Sequence, residues 1–105
     1  MIMNVGGTIN MIEVKGTDER GFPQIISFDG RVLEIFSYLA GSGNSRRFHV
    51  EHIEKIEIQE KDDKSPILDI ELKFPASFAL YKFKEGGENL QELVDDVKQA
   101  MDSLF

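Results

Sequence analysis

The sequence QIISFDGRVLEIFSY, residues 24–38, carries the clearest folding signal in the chain. Two segments rich in apolar residues, 24–28 and 31–38, flank the pair Asp29-Gly30. Aspartate and glycine tolerate the positive φ angles of a type I′ turn, whose twist matches that of two antiparallel strands. The sequence therefore predicts a β-hairpin with Asp29-Gly30 as its two-residue turn.

Apolar residues alternate with polar ones on both sides of this hairpin. In residues 67–74 every second side chain is apolar, from Leu68 to Phe74, and charged side chains stand between them. This period of two is typical of a sheet that is solvated on one face. The small residues 40–45 are expected to form the tip of a second hairpin. The pattern predicts seven strands, at residues 9–15, 24–28, 31–38, 46–50, 53–60, 67–74 and 78–84.

The last predicted strand, residues 78–84, has apolar side chains on both faces. We expect Tyr81 and Phe83 to point into the core, which leaves Phe78 and Leu80 together on the outer face. An exposed apolar pair of this kind usually marks a partner surface. Phe78 and Leu80 are therefore candidate residues for self-association.

After Gly86-Gly87 the apolar period changes from two to that of a helix. Apolar side chains recur at i, i+3, i+4 and i+7 after an acidic first turn, which suits a helix N-terminus. The stripe consists of Leu90, Leu93, Val94, Val97, Ala100, Met101 and Leu104. The chain is thus predicted to be mainly β, and α+β by count. We expect a small barrel or strongly bent sheet of about seven antiparallel strands, capped by one C-terminal helix.

The length of 105 residues and the mass of 11.9 kDa match a single domain, residues 1–105. Residues 1–7 are apolar without periodicity, and the sequence leaves open whether they form a disordered end or an arm. No apolar run has the length of a membrane helix and the first residues lack a secretion signal, so a cytoplasmic location is expected. The lack of cysteine excludes disulfides, thiolate nucleophiles and cysteine-ligated metals.

The formal net charge of −7 at pH 7 arises in the second half of the chain. Residues 1–50 have five basic and five acidic side chains, whereas residues 51–105 have seven basic and fourteen acidic ones. Such a field repels nucleic acid and anionic membranes, because phosphate contacts dominate those affinities. Nucleic acid is not expected as a partner, and neither is a membrane.

Two stretches of the sequence, one of them within the hairpin described above, resemble a known family. Residues 26–35, ISFDGRVLEI, and residues 47–58, RFHVEHIEKIEI, are similar to a bacterial family of unknown function with a pleckstrin-homology-like (PH-like) domain. The resemblance extends over residues 9–104 and includes the final helix. It implies a PH-like small barrel that serves as a non-catalytic binding or assembly module.

The family order of elements also implies a place for a ligand. A barrel of this kind leaves an edge strand, here residues 53–60, beside the terminal helix, and an extended peptide can add to such an edge. The first functional hypothesis is therefore recognition of a protein or peptide, and the alternative is homo-oligomeric assembly. The residues of the predicted groove are Lys55, Ile56, Ile58, Gln59, Leu93 and Val97.

Arg31, Arg46 and Arg47 form the basic concentration outside the acidic half of the chain. They are candidate contacts for an anionic lipid or a phosphate ligand, which is a further alternative function. The other interpretation is that they are sheet-edge arginines that limit aggregation and pair with neighbouring carboxylates.

The sequence offers no catalytic or metal-binding set. His49 and His52 would point to opposite faces of a strand, so they are not expected to converge with Glu54 on a metal. The serines lie in no nucleophile-elbow context. We therefore predict no enzymatic activity, no cofactor and no metal. The expected partner is an unidentified protein or peptide, or a second copy of the chain.

Overall fold

A computed structural model describes residues 11–39, 41–60, 66–81 and 87–104. In chain order the elements are β1 (Ile12–Thr17), β2 (Pro23–Phe28), β3 (Val32–Leu39), β4 (Ser42–His49), a short 3₁₀ helix (Val50–His52), β5 (Ile53–Gln59), β6 (Ile67–Leu72), β7 (Ser77–Leu80) and α1 (Gly87–Asp102). The mainly β composition, the seven antiparallel strands and the C-terminal helix confirm the predicted fold class at this level.

The strands form two antiparallel sheets. The first sheet has the order β1-β2-β3-β4 and the second has the order β5-β6-β7. A bridge joins the sheets. The Thr17 N–H donates to the Tyr81 carbonyl oxygen at 2.9 Å, and the Tyr81 N–H donates to the Thr17 carbonyl oxygen at 2.6 Å. The described strands do not close into a single barrel, so the PH-like barrel stays a prediction.

One core joins the inner faces of both sheets and the helix. It includes the side chains that strict alternation predicted, such as Ile12 and Val14 of β1 and Leu68 and Ile70 of β6. α1 packs against β1 and β5. Its buried residues are Leu90, Leu93, Val94 and Val97. Burial of one such side chain contributes about 1.5–3 kcal/mol, so the helix is an integral part of the fold.

The predicted hairpin between β2 and β3 is present, but its turn lies one residue later. The Asp29 N–H donates to the Val32 carbonyl oxygen at 3.3 Å, which leaves Gly30 and Arg31 as the central residues. Gly30 adopts a φ of 102°. Oδ1 of Asp29 accepts hydrogen bonds from the N–H groups of Arg31 at 2.9 Å and Val32 at 2.8 Å. Asp29 is therefore the first residue of the turn, from which its short side chain can accept hydrogen bonds from the N–H groups two and three residues later.

These hydrogen bonds give Asp29 a pH-dependent role in stability. They hold the pKa of its carboxyl below the ordinary value of 3.8, the bond from Val32 having the larger effect. The ionised group therefore stabilises the fold above the pKa of the unfolded chain, and this contribution is lost as the pH falls through the lower pKa of the folded state. We expect Asp29→Ala to lower the free energy of unfolding at pH 7 by about 1 kcal/mol.

Urea unfolding at pH 7 and at about pH 2, below the ordinary aspartate pKa, measures this contribution. The difference between the parent chain and Asp29→Ala should shrink at the lower pH. Asp29→Asn is the control, because it keeps an acceptor oxygen and should lose less at pH 7. An equal difference at both pH values would contradict a role for the charge.

β4 begins at Ser42, earlier than the predicted start at Arg46. Leu39 is paired with Ser42, and Gly41 has a φ of 81°. Residues 42–45 are small and polar and have little strand preference of their own, which is why the sequence indicated a loose hairpin tip. The long partner strand β3 supplies the hydrogen-bonding groups that extend them.

The predicted orientation of β7 is wrong. Leu80 is paired with Leu68, and Phe78 is paired with Ile70, so both face the core with their buried partners on β6. Leu80 is fully buried, Phe78 packs against the core, and Tyr81 is half-buried. The outward pair of Phe78 and Leu80, on which the self-association hypothesis depended, is therefore not formed.

Two predicted core residues lie beyond the ends of their elements. β6 ends at Leu72, and Phe74 is 45% exposed in the bend that follows. α1 ends at Asp102, and Leu104 is 42% exposed. In both cases the apolar pattern continued past the last residue that packs on the core.

Some predictions fall on residues that the structure does not describe. Residues 1–7, with their two alternatives, lie outside the described residues, and so does Phe83. Among the helices that are described, none is both long enough and apolar enough to cross a membrane.

Candidate functional site

The inner face of the first sheet changes from apolar to polar along its strands. On β2, Ile26 and Phe28 belong to the core, and Gln24 lies on the same face. Gln24 is paired with Ser37 of β3, and Ser37 is paired with Asn44 of β4. Paired residues of antiparallel strands point to the same face. The side chains of Gln24, Ser37 and Asn44 thus form a polar row across the sheet.

A cleft of about 380 Å³ opens at this polar row. Ile35 lines it where the core begins, the loop between β1 and β2 borders it, and Phe78 of the second sheet completes its wall. We call this space the inter-sheet cleft. An apolar wall with a few converging polar groups is the usual composition of a ligand site.

Two arginines line the inter-sheet cleft, and each lies over a phenylalanine ring. Cζ of Arg46 is 5.5 Å from the centre of the Phe78 ring, and Cζ of Arg20 is 5.8 Å from the centre of the Phe22 ring. Within the described part of the chain, neither arginine has a carboxylate partner within 4.0 Å. A guanidinium that rests on a ring keeps N–H groups for an anion, so the cleft offers two cationic donors.

Gln24 is a buried polar side chain of the cleft, with 7% of its surface exposed. Its Nε2 donates to Oγ of Ser37 at 3.3 Å. Its Oε1 is buried and, among the described residues, has no hydrogen-bond partner. An unpaired buried oxygen of this kind costs about 1–3 kcal/mol. Because the oxygen itself is buried, a ligand N–H group would offset that cost only after the Gln24 side chain turns toward the cleft.

Asp18 also lines the cleft, but its carboxylate is engaged with the backbone of its own loop. Oδ1 of Asp18 accepts hydrogen bonds from the N–H groups of Arg20 at 2.9 Å and Phe22 at 3.0 Å. Gly21, with a φ of 90°, donates its N–H to the Asp18 carbonyl oxygen at 3.0 Å. The loop thereby holds Arg20 and Phe22 beside the cleft, while the carboxylate is not ion-paired with Arg20.

The predicted anion contacts Arg31, Arg46 and Arg47 do not share one surface. Arg46 points to the inner face together with its partner Ile35. Arg47 points to the outer face, where its Nε lies 3.4 Å from Oε2 of Glu34. Arg31 lies in the turn between β2 and β3. Of the three, the structure places Arg46 in the inter-sheet cleft, where Arg20 joins it.

The predicted groove between β5 and α1 is filled by packing. Ile56, Leu93 and Val97 are buried in the core, and Ile58 packs against it. A partner side chain would enter there only if α1 moved away from β5. The other two residues of the predicted groove, Lys55 and Gln59, lie on the opposite face of β5 from Ile56.

The side chains of Lys55 and Gln59 are engaged with acidic neighbours. Nζ of Lys55 lies 3.2 Å from Oε1 of Glu57, and Nε2 of Gln59 donates to Glu57 at 3.2 Å and to Asp69 at 3.0 Å. The bond from Gln59, followed by that from Lys55, holds the pKa of Glu57 below its ordinary value. Glu57 in turn raises the pKa of Lys55. A binding role for Lys55 and Gln59 stays a prediction.

The two histidines have structural contacts at the junction of the sheets. Nδ1 of His49 accepts a hydrogen bond from the Glu51 N–H at 3.2 Å and so caps the 3₁₀ helix. The His52 ring lies 6.4 Å from that of Phe74. In the described segments, no three His, Cys, Asp or Glu side chains group as they would around a metal ion.

The sequence interpretation missed Arg20 and Gln24 as site residues. A signal for Gln24 was available, since the alternation that buries Ile26 and Phe28 places Gln24 on the same face. The contribution of Arg20 had no such signal, because the position of its loop depends on the Asp18 hydrogen bonds.

Comparisons with known proteins do not add to this geometry. No protein-family model matches the chain, and a search of the curated proteins finds no match. The inter-sheet cleft is therefore interpreted from its own residues.

Proposed function

We propose that this chain is a non-catalytic binding module that recognises a protein or peptide through the inter-sheet cleft. The observation that carries the proposal is a set of polar groups without partners. Among the described residues, Arg20 and Arg46 have no carboxylate partner, and Oε1 of the buried Gln24 has no hydrogen-bond partner. An unpaired polar group costs stability when it is buried, as the Gln24 oxygen is. The two arginines beside it are exposed, and they can bind an acidic group without first breaking an ion pair between described residues.

A PH-like arrangement belongs to the same proposal. It is supported by a four-stranded and a three-stranded antiparallel sheet, joined by the Thr17–Tyr81 bridge, and by a C-terminal helix on the core. We also propose the cytoplasm as the location, because a chain without cysteine needs no oxidising compartment.

We propose a protein or peptide as the ligand rather than a nucleic acid or a membrane. The net charge of −7 opposes a polyanion as a whole. Two arginines in a cleft of about 380 Å³ are suited to one or two acidic groups. A polypeptide can supply such isolated acidic groups together with backbone N–H donors.

Three acetylated and amidated octapeptides test this proposal. They alternate threonine, a residue that favours strands, with glutamate, glutamine or lysine. Titration into the ¹⁵N-labelled chain, followed through backbone amide shifts, should give saturable binding of at least one peptide, with a dissociation constant of about 1 mM or lower. We expect the largest shifts at Arg20, Gln24 and Asn44.

The same titration with Gln24→Leu tests the role of the cleft. Binding should weaken, because the buried amide is replaced by an apolar side chain of similar size. Absence of saturable shifts with all three peptides would overturn the proposed function. Saturable shifts confined to β5 would keep peptide recognition but return the site to the predicted groove at Lys55 and Gln59.

A further inference from the structure

We infer that the occupant of the inter-sheet cleft is an extended acidic peptide that adds a fifth strand to the first sheet along the free edge of β4. This inference rests on the function proposed above. β4 is the last strand of its sheet, and among the described strands it pairs with β3 alone. With respect to the described residues, the opposite edge of β4 is therefore unpaired and can accept a further strand.

The edge of β4 has the features that strand addition requires. The strand is eight residues long, and residues 42–47 are all exposed. It contains no proline, and residues 42–45 are small and uncharged. Natural sheets usually shorten, cover or block such an edge with proline, charged side chains or a bulge. Residues 42–45 have none of these, and the charged Arg46 and Arg47 oppose pairing with another basic edge but not with an acidic strand.

The pairing of β4 with β3 identifies which backbone groups of β4 point away from β3. The Val50 N–H donates to the Arg31 carbonyl oxygen at 2.9 Å, which fixes the alternation of hydrogen-bonded pairs along this ladder. Counting back by twos, residues 42, 44, 46 and 48 bond to β3. The outward N–H and C=O groups therefore belong to Gly43, Ser45, Arg47 and His49.

The side chains of an added strand would fall into two sets. Residues of the peptide that lie opposite Asn44 and Arg46 share their face, which is the inner one. These peptide side chains would enter the inter-sheet cleft beside Arg46, toward Arg20. The other peptide side chains would share the outer face with Arg47.

The two arginines of the cleft outnumber its one carboxylate, that of Asp18, and favour an acidic side chain at the inward positions. Arg46 lies over Phe78 and, within the described part of the chain, has no carboxylate within 4.0 Å, whereas Arg47 is already paired with Glu34. A carboxylate can bind the guanidinium with charge-assisted hydrogen bonds. Salt screens charges beyond about 8 Å at physiological ionic strength, which weakens the effect of the more distant carboxylates. Asp69, which lines an adjoining pocket with Arg20 and Phe78, opposes this attraction more directly.

A second copy of the chain is a poorer occupant of the same edge. Pairing of two β4 edges would bring Arg46 and Arg47 of one copy near those of the other, and like charges on adjacent strands are destabilising. An acidic peptide is complementary to these side chains. The observed charges therefore favour a separate peptide.

Two arginine substitutions test the charge selection in the octapeptide titration. We expect the Thr-Glu peptide to bind more tightly than the Thr-Gln and Thr-Lys peptides. Arg46→Gln should weaken the Thr-Glu peptide about tenfold, the effect of losing a hydrogen bond to a charged group, and should leave the Thr-Gln peptide unchanged. Arg47→Gln is the matched control on the same strand and should change neither affinity appreciably.

Hydrogen exchange tests the edge in the unaltered chain. Saturation with the Thr-Glu peptide should slow amide exchange at Gly43, Ser45 and Arg47, while the neighbouring amides of Asn44 and Arg46, already bonded to β3, should gain less protection. Ser45→Pro removes an outward N–H at a position where an edge strand accepts proline and should abolish binding. Ser45→Ala, the control, keeps the N–H and should retain it.

Each contrary result has a distinct meaning. If the Thr-Gln or Thr-Lys peptide binds as well as the Thr-Glu peptide, or if protection lacks the alternation along β4, the inference is overturned while peptide recognition stands. If the free chain is a dimer by light scattering and Ser45→Pro converts it to a monomer, the edge belongs to a second copy and the inference is likewise wrong. Failure of all three peptides overturns both proposals.

Discussion

Leu80→Ala is expected to lower the free energy of unfolding by about 2–5 kcal/mol, the range for removing a leucine side chain from a packed core. Leu80 is fully buried and is paired across the second sheet with Leu68, which is also fully buried. Truncation would leave a cavity at the place where β7 meets the core. Urea unfolding followed by circular dichroism measures the change.

Leu104→Ala is the matched control, because it is the same chemical change at a position that is 42% exposed. Its free energy of unfolding should change by about 0.5 kcal/mol or less, as for most surface substitutions. Equal losses for the two variants would contradict the inward orientation of Leu80. Such a result would restore Phe78 and Leu80 as an outward pair available for self-association.

Gly16→Ala is expected to destabilise the fold by about 1–3 kcal/mol through overpacking. A Cβ at Gly16 would lie 2.6 Å from the Tyr81 carbonyl oxygen and 2.9 Å from Cγ and Cδ1 of Leu80. The Tyr81 carbonyl oxygen accepts the bridge hydrogen bond from Thr17, so it has little freedom to move. The substitution therefore forces apart the point at which the two sheets are joined.

Gly43→Ala is the matched control for this effect. A Cβ at Gly43 would lie 2.7 Å from Cζ of the Phe36 ring, but this is the far end of a side chain that can rotate away. We expect a much smaller loss of stability than for Gly16→Ala, together with normal amide exchange at Thr17. If the two substitutions lower the free energy of unfolding by the same amount, the close contact with the Tyr81 carbonyl oxygen is not the reason for glycine at position 16.

The strands with one apolar face were predictable from the sequence. In β1, and in β6 apart from its first residue Ile67, the apolar residues occupy a single set of alternate positions. One orientation buries that set, and Val14, Leu68 and Ile70 are buried as expected. The same holds for α1, whose apolar stripe allows one face toward the core. These predictions needed only the local period and the burial of apolar surface.

The inter-sheet cleft was predictable in part. Arg46 was a candidate anion contact because of its charge, and the alternation on β2 places Gln24 on the inner face. The approach of Phe78 to Arg46 was not predictable, because it joins β7 to β4 across two sheets. The separation of Arg46 from Arg47 depends on the face that β4 turns toward the core.

The sequence by itself determined the number and kind of the elements, since apolar periods of two and 3.6 are properties of local backbone geometry. Only the tertiary structure decided the orientation of β7, where both faces carry apolar side chains and the pairing of Leu80 with Leu68 selects one. It also decided the early start of β4, whose small residues are held extended by β3. In each of these cases the deciding contact comes from a residue of another strand, and the local sequence does not encode that contact.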